Sequence, residues 1–332
     1  MPGDGFELAG LWRELWDTHE AWGGYAGTRD DVVYAEVGRR LDEDARIRGG
    51  LPMLGRHVHL VACVQRRVIG QVEGWIERHG VHPQTPTTCE VRSLIVSESA
   101  RGSGAGRALL EELSRVAVLR SHGRPMLLAA EVLEANPAQA FYARLGYTPA
   151  SFSYKLTCAQ ASLLVEQPGV SARRAESRDA TAIAMLEVRL AERRRALGDL
   201  RFDRPRAIEA AFIDAIAMHL GARKGPHDSV ELVAYDQAGH VHASACVVVS
   251  SLDPPFIPTR RALLGRFGVD PAVDPRPFVR ALVRAAGRVG VMQGADMLEV
   301  TDLDGPGGPL SEAAGLTGAA PWSRVVERAF GM

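Results

Sequence analysis

The most constraining feature of this chain is one uninterrupted run. The apolar residues Leu94-Ile95-Val96 lead into Arg101-Gly102-Ser103-Gly104-Ala105-Gly106-Arg107, and an amphipathic stretch follows as far as Arg120. A strand, a glycine turn and a helix are thereby placed in direct succession. Glycine tolerates positive φ and lets the backbone come close to a ligand. The N–H groups of such a turn and of the helix start converge, so they hold an anion without a side-chain charge. Arg101 and Arg107 add positive charge at the rim. The run is not a P-loop, because it lacks the Lys-Ser/Thr pair. It is not the usual dinucleotide turn either, because it follows a third strand rather than a first. Taken alone, it is an anion site or an ordinary tight turn.

Periodicity around the run predicts a mixed α/β fold, an α+β arrangement on a mixed sheet. Phe6, Leu8, Leu11, Trp12, Leu15 and Trp16 recur at helical spacing, and a second helix is expected over 30–47. Strands are expected at 57–64 and 68–77, with the turn at Arg66-Arg67, then a loop over 79–88 and a third strand over 88–96. Helix 104–120, strand 126–132, a helix opened by Asn136-Pro137 and closed at Gly146, and strand 151–156 complete the order. The second half repeats that order. Its expected elements are strand 170–174, helices 180–197 and 206–220, strands 230–235, 241–250 and 262–267, helix 278–291, strand 297–301, helix 310–314 and strand 322–329. The implied duplication has a period of roughly 165 residues. The domains read as 1–157 and 170–332, joined by a linker at 158–169.

With 332 residues, 46% apolar and 24% charged, the chain is long enough for two globular cores. A formal net charge of −1 gives no basic field for nucleic acid. No apolar stretch approaches the roughly 20 residues of a membrane span, and the N-terminus has no basic-then-apolar leader pattern. A cytoplasmic location with no membrane partner is the expectation. Cys63, Cys89, Cys158 and Cys246 form no C-x-x-C pair and read as free thiols. Asp296, Asp302 and Asp304 read as a solvated loop, so no metal is expected.

Residues 101–106 resemble the R/Q-x-x-G-x-G/A signature of the GNAT superfamily of acyl-CoA-dependent N-acetyltransferases. About 35 residues downstream, Asn136, Ala138, Phe141, Tyr142, Gly146 and Tyr147 resemble that family's N-x-x-A-x-x-F-Y-x-x-x-G-F/Y block. The resemblance covers residues 1 to about 156 and implies acetyl-CoA as co-substrate. Arg101, Gly102, Ser103, Gly104, Ala105, Gly106 and Arg107 would hold the pyrophosphate. Leu94, Ile95 and Val96 would splay from the neighbouring strand and bind the pantetheine arm, which Asn136 would also touch. Tyr142 would give a proton to the departing thiolate, and Glu90 would act as general base on the amine. The bland readings stand beside these: Asn136 as an N-cap, Tyr142 as a packing residue, Glu90 as a salt-bridged strand residue. Glu131 is a lesser candidate base. His19, His57, His59 and His79 read as surface or edge residues.

Residues 1–44 hold eleven acidic and four basic residues. Glu14, Asp17, Glu20, Asp30 and Asp31 could therefore attract a cationic amine, or simply form a solvated face. In the second half the loop position reads Asp270-Pro271-Ala272-Val273-Asp274-Pro275-Arg276. Prolines remove donors and aspartates repel phosphate, so this half reads as a degenerate GNAT-like domain without coenzyme A; an unrelated α/β domain is the alternative. The expected function is acetyl transfer to a primary amine, most simply on a small molecule. A non-catalytic acyl-CoA sensor, or use of another acyl donor, is the competing class. A tandem repeat could act as a pseudo-dimer within one monomer, and a homodimer is the other expectation.

Overall fold

Two antiparallel strands set the register of the first half. β1 (His57–Val64) returns as β2 (Arg67–Arg78) through Gln65 and Arg66, both at positive φ. Two left-handed residues make the tight turn whose twist matches paired strands, so the bend falls one residue earlier than the sequence implied. The computed structural model describes residues 3–48, 57–78, 87–165, 167–196, 210–221, 229–252, 254–316 and 318–330. Residues 79–86 of the expected loop, Leu197 at the end of one expected helix and 206–209 at the start of the next lie outside those residues.

Before the hairpin come α1 (Gly5–Ala21) and α2 (Asp31–Arg48). β3 (Thr87–Val96), α3 (Ala105–Arg120), β4 (Met126–Leu133) and α4 (Ala138–Arg144) follow it. Leu109, Leu113 and Ala117 of α3 are buried at helical spacing against Val72, Cys89, Val91 and Leu128 of the sheet. Burial of this stripe is the main favourable term for the helix.

In the second half come β5 (Thr148–Thr157), α5 (Cys158–Ser162), β6 (Val170–Arg174), α6 (Ala180–Ala196), α7 (Ala210–Gly221), β7 (Val230–Asp236), β8 (Val241–Ser251) and β9 (Arg260–Val269). α8 (Pro275–Met292), β10 (Met297–Leu303), α9 (Pro309–Ala313) and β11 (Ser323–Phe330) end the chain. The order of elements repeats as expected, with α8 and β10 about 170 residues after α3 and β4.

The compact units do not coincide with the ranges 1–157 and 170–332. One comprises 1–149, 253–258 and 325–332; the other comprises 150–252 and 259–324. The first has strand order β1-β2-β3-β4-β11 and the second β5-β10-β9-β8-β7-β6. Each half of the sequence thus lends its last strand to the other unit, where the sequence order had each closing its own. Val326 and Phe330 of β11 pack in the first core; Phe152 and Tyr154 of β5 pack in the second. The expected linker is also part of the fold. Thr157 and Gln160 cap α5 reciprocally, and Cys158 and Ala161 are buried against the glycines Gly290 and Gly287 of α8. Among the described residues no helix is long and apolar enough to cross a membrane.

Val326→Asp should place an uncompensated charge in the first core and cost about 3–5 kcal/mol. Trp12, Trp16, Trp22 and Trp75 all report on this unit, so a lower urea midpoint in tryptophan fluorescence is the expected result. An unchanged midpoint would show that β11 is dispensable there.

Candidate active site

β3 pairs with β2 along its length, but its parallel ladder with β4 runs only from Thr87–Met126 to Val91–Ala130. From Arg92 to Val96 the strand has left its neighbour. The cause lies on the opposite edge. Gly74 faces Val91 and Glu73 faces Ser93, so Arg92 is an extra, bulged residue. A bulge bends its strand and increases the twist. It also resets the alternation: Cys89 and Val91 face the α3 core, and so do Leu94 and Val96, whereas Ile95 joins Leu8 and Leu11 of α1. The expected splay at Leu94–Val96 is therefore present. Backbone groups that leave a ladder need new partners, and an extended arm could supply them.

The loop that follows is built to leave donors free. Gly102 and Gly104 have φ of +83° and +89°, and a Cβ at either would meet nothing within 4 Å. The requirement there is conformational, not steric. Gly104 caps α3 without a side chain, and the first turn carries no acidic residue. Among the described residues the N–H groups of Gly102, Gly104, Gly106 and Arg107 have no acceptor, while Ser103 N–H reaches Ala100 O at 3.2 Å. These free donors and the helix dipole point outward together. The loop is held from behind. Glu14 of α1 accepts the Glu98 N–H at 2.6 Å and Arg101 at 3.2 Å, and Arg101 Nε also donates to Val96 O at 3.3 Å. Arg107 pairs with Glu111 one turn on.

The second motif meets the first physically. A Cβ on Gly106 would lie 3.5 Å from the ring tip of Phe141, ordinary contact that alanine could also make. The cap position of α4 is Pro137 rather than Asn136, but Asn136 Oδ1 still accepts the Ala138 N–H at 2.8 Å, which leaves its amide nitrogen for a ligand. Tyr142 is buried between Phe141 and Tyr147, with ring centroids 5.4 and 5.3 Å away. Burial, and to a lesser degree Tyr147, raises its phenol above the ordinary value, so it stays protonated and able to donate. Glu90 lies on the face opposite α3. It is exposed, sits 3.4 Å from Arg92, and is directly across from Trp75, over which the Arg92 guanidinium stacks.

Several acidic residues of the first two helices turn out to have internal work. Glu14 holds the loop, Asp31 pairs with Arg13, and Asp30 accepts the Val32 N–H; Asp17 and Glu20 remain exposed. His57 and His59 lie on β1, the edge strand, and His79 lies outside the described residues, whereas His19 is not a surface group. His19 is pressed against Trp16 and Trp22 at 5.3 and 5.9 Å, and burial lowers its pKa to about 4. His59 lies 2.9 Å from Gln71 Oε1 and 3.9 Å from Glu73. Gln71 is fully buried with its amide nitrogen unpartnered, and the Ser93 hydroxyl beside the bulge is unpartnered too. Alternation about Trp75 could have placed His57, His59, Gln71 and Glu73 on one face. Only the pairing register brings them beside the bulge.

The second unit treats the same elements differently. α8 is capped by Asp274, whose carboxylate accepts the Arg276 N–H at 3.1 Å, and proline occupies its first position. The β9–β10 ladder likewise stops at Leu264–Val300. Beyond it, Arg193 donates to Phe267 O at 3.5 Å, and Arg194, fully buried, donates to Asp302 O at 3.2 Å and its carboxylate at 2.9 Å. Asp304 accepts the Leu310 N–H at 3.3 Å, so Asp302 and Asp304 are engaged within the protein.

Residues 55–149 match the family described as an acetyltransferase (GNAT) domain. Solved structures resemble the whole chain in fold. A GCN5-related N-acetyltransferase from Sphaerobacter thermophilus has a TM-score of 0.58 at 16% identity, covering 99% of this chain and 93% of that one. A glucosamine N-acetyltransferase region of a fungal multi-domain β-N-acetylglucosaminidase gives 0.53 at 14%, covering 98% and 37%. A tandem GNAT protein from the clavulanic acid biosynthesis pathway gives 0.49 at 19%, covering 97% and 94%.

Two measurements follow from this geometry. Gly104→Asp should lower coenzyme A affinity at least about 100-fold by calorimetry while the circular dichroism is kept, because aspartate tolerates positive φ and would cap the free donors with a negative charge. For His19, the folded pKa of about 4 lies below the unfolded value of about 6.5. The unfolded chain therefore binds the extra proton first, and stability is lost as pH falls from about 6.5 to about 4. His19→Phe should flatten that part of the stability–pH curve.

Proposed function

For a chain that carries a GNAT acetyltransferase domain, we propose that the first unit transfers an acetyl group from acetyl-CoA to a primary amine within a ternary complex. The observation that carries this reading is the uncapped start of α3 beside the opened edge of β3. A pyrophosphate at Gly102–Arg107 leaves the pantetheine arm to run along Leu94–Val96, completing the backbone bonds that β4 no longer makes. The thioester then lies toward the bulge, within the reach of Tyr142 on one side and of Glu90 on the other.

An amine is mostly protonated at neutral pH, so Glu90 takes its proton, directly or through water. The nitrogen attacks the thioester carbonyl, the carbon–sulfur bond breaks, the sulfur leaves as thiolate, and the second proton that the nitrogen sheds on becoming an amide passes through water to restore the phenol once Tyr142 has given its own. Tyr142, kept protonated by burial, hydrogen-bonds and protonates that sulfur. Asp17 and Glu20 supply the negative potential that favours a cationic small-molecule acceptor. A non-catalytic acyl-CoA sensor is the second reading, favoured by the ion pair of Glu90 with Arg92.

Free thiol release from acetyl-CoA, with and without a panel of amines, separates the two readings. Amine-dependent release supports catalysis; tight coenzyme A binding without release supports the sensor. Tyr142→Phe should lower kcat about 100-fold, with coenzyme A affinity nearly unchanged. Full turnover in that variant would remove Tyr142 from the mechanism.

A further inference from the structure

The β7–β8 hairpin of the second unit gathers groups that the acyl-transfer reading does not use. Asp236 ends β7, His240 lies in the turn, and His242 follows on β8. Ala234 faces Ala243 and Tyr235 faces Val241, so His242 is an extra residue in the ladder. The turn is tightly tied. Asp236 N–H donates to His240 O at 3.1 Å, Gly239 N–H donates to Asp236 O at 3.0 Å, and Asp236 Oδ1 accepts the His240 N–H at 2.9 Å. One carboxylate oxygen is thus fixed by backbone, and the other, Oδ2, is turned toward two imidazoles.

We propose that Asp236, His240 and His242 bind a divalent transition-metal cation of the zinc class. Asp236 Oδ2 lies 3.3 Å from His240 Nδ1 and 3.3 Å from His242 Nε2. Ligands about 2.0 Å from a tetrahedral ion stand about 3.3 Å from one another, so both distances already match edges of that polyhedron. The three ligand atoms lie within 4.8 Å of one another. His240 is exposed and can turn the remaining distance, while water takes the fourth position. Imidazole with carboxylate suits zinc, nickel and copper ions and is a poor set for magnesium or calcium.

The outer contacts have the form a metal site requires. His242 Nδ1 lies 3.1 Å from Asp270 Oδ2, its ring rests on Phe278 with centroids 5.0 Å apart, and Asp270 Oδ1 is held by the Ala272 N–H at 3.0 Å. A carboxylate on the second ring nitrogen fixes the tautomer that presents Nε2 to a metal. Both ring nitrogens of His242 face carboxylates, Nδ1 that of Asp270 and Nε2 that of Asp236. Asp270 opens the loop that stands where the first unit has its glycine turn, so the cation would tie the hairpin to that loop. This inference is independent of the acyl-transfer reading.

The test is calorimetric titration of the tag-free, full-length, chelator-treated protein with zinc chloride. One zinc per chain is expected, with a rise in melting temperature. The double variant His240→Ala/His242→Gln should lose that binding, and Asp270→Asn should weaken it about 10-fold. Absence of saturable binding to the wild-type chain overturns the proposal. So does unchanged stoichiometry and affinity in the double variant, which would place the ion elsewhere.

Discussion

The parting of β3 from β4 at Val91–Ala130 is the constraint around which the first unit is arranged. Parallel strands that separate leave backbone donors and acceptors without a ladder, and buried groups of that kind are costly. The bulge at Arg92 produces the separation and at the same time turns Leu94 and Val96 toward α3. The glycine loop follows the end of β3 that is unpaired with β4. α3 starts with open donors at the far side of that loop, and Phe141 of α4 closes against Gly106. Loosening the bulge would move all of these together.

The second unit keeps the parted strands and closes the opening with its own atoms. Arg193 and Arg194 reach carbonyls beyond the last paired residues of β9 and β10, and the Asp274 carboxylate sits where an anion would meet α8. A fully buried guanidinium is tolerable only when paired, and Asp302 provides the pairing. A group tethered to the chain competes for the same donors at a high effective concentration. The donors at the start of α8 are therefore met by the chain's own Asp274, whereas those at the start of α3 are capped by a glycine without a side chain.

Much of this was legible in the residues. The glycine turn, the Asn136–Tyr147 block, the positions of α3, α8 and most strands, and the loss of donors at Asp270–Arg276 all follow from local preference or spacing. The errors share a physical origin. Residues 158–169 look like a linker because five helical residues show no periodicity, yet Cys158 and Ala161 are locked onto two glycines of α8. His59 does lie on the edge strand β1, but nothing in its neighbourhood along the chain reports that Gln71 and Glu73 stand beside it. Glu14 looks like one acid among many until α1 packs and its carboxylate meets the Glu98 N–H.

By itself the sequence determined what depends on neighbours along the chain: a strand, a left-handed glycine turn and a helix whose cap residue has no side chain. Those outcomes are set by φ preferences and helix periodicity. Tertiary structure alone decided which unit each closing strand joins, where β3 and β4 part, and which face each residue beyond Arg92 presents. β5 and β11 are equally good strands for either core, so no local preference distinguishes their partners. A one-residue bulge changes every later face while leaving the residues that follow unchanged.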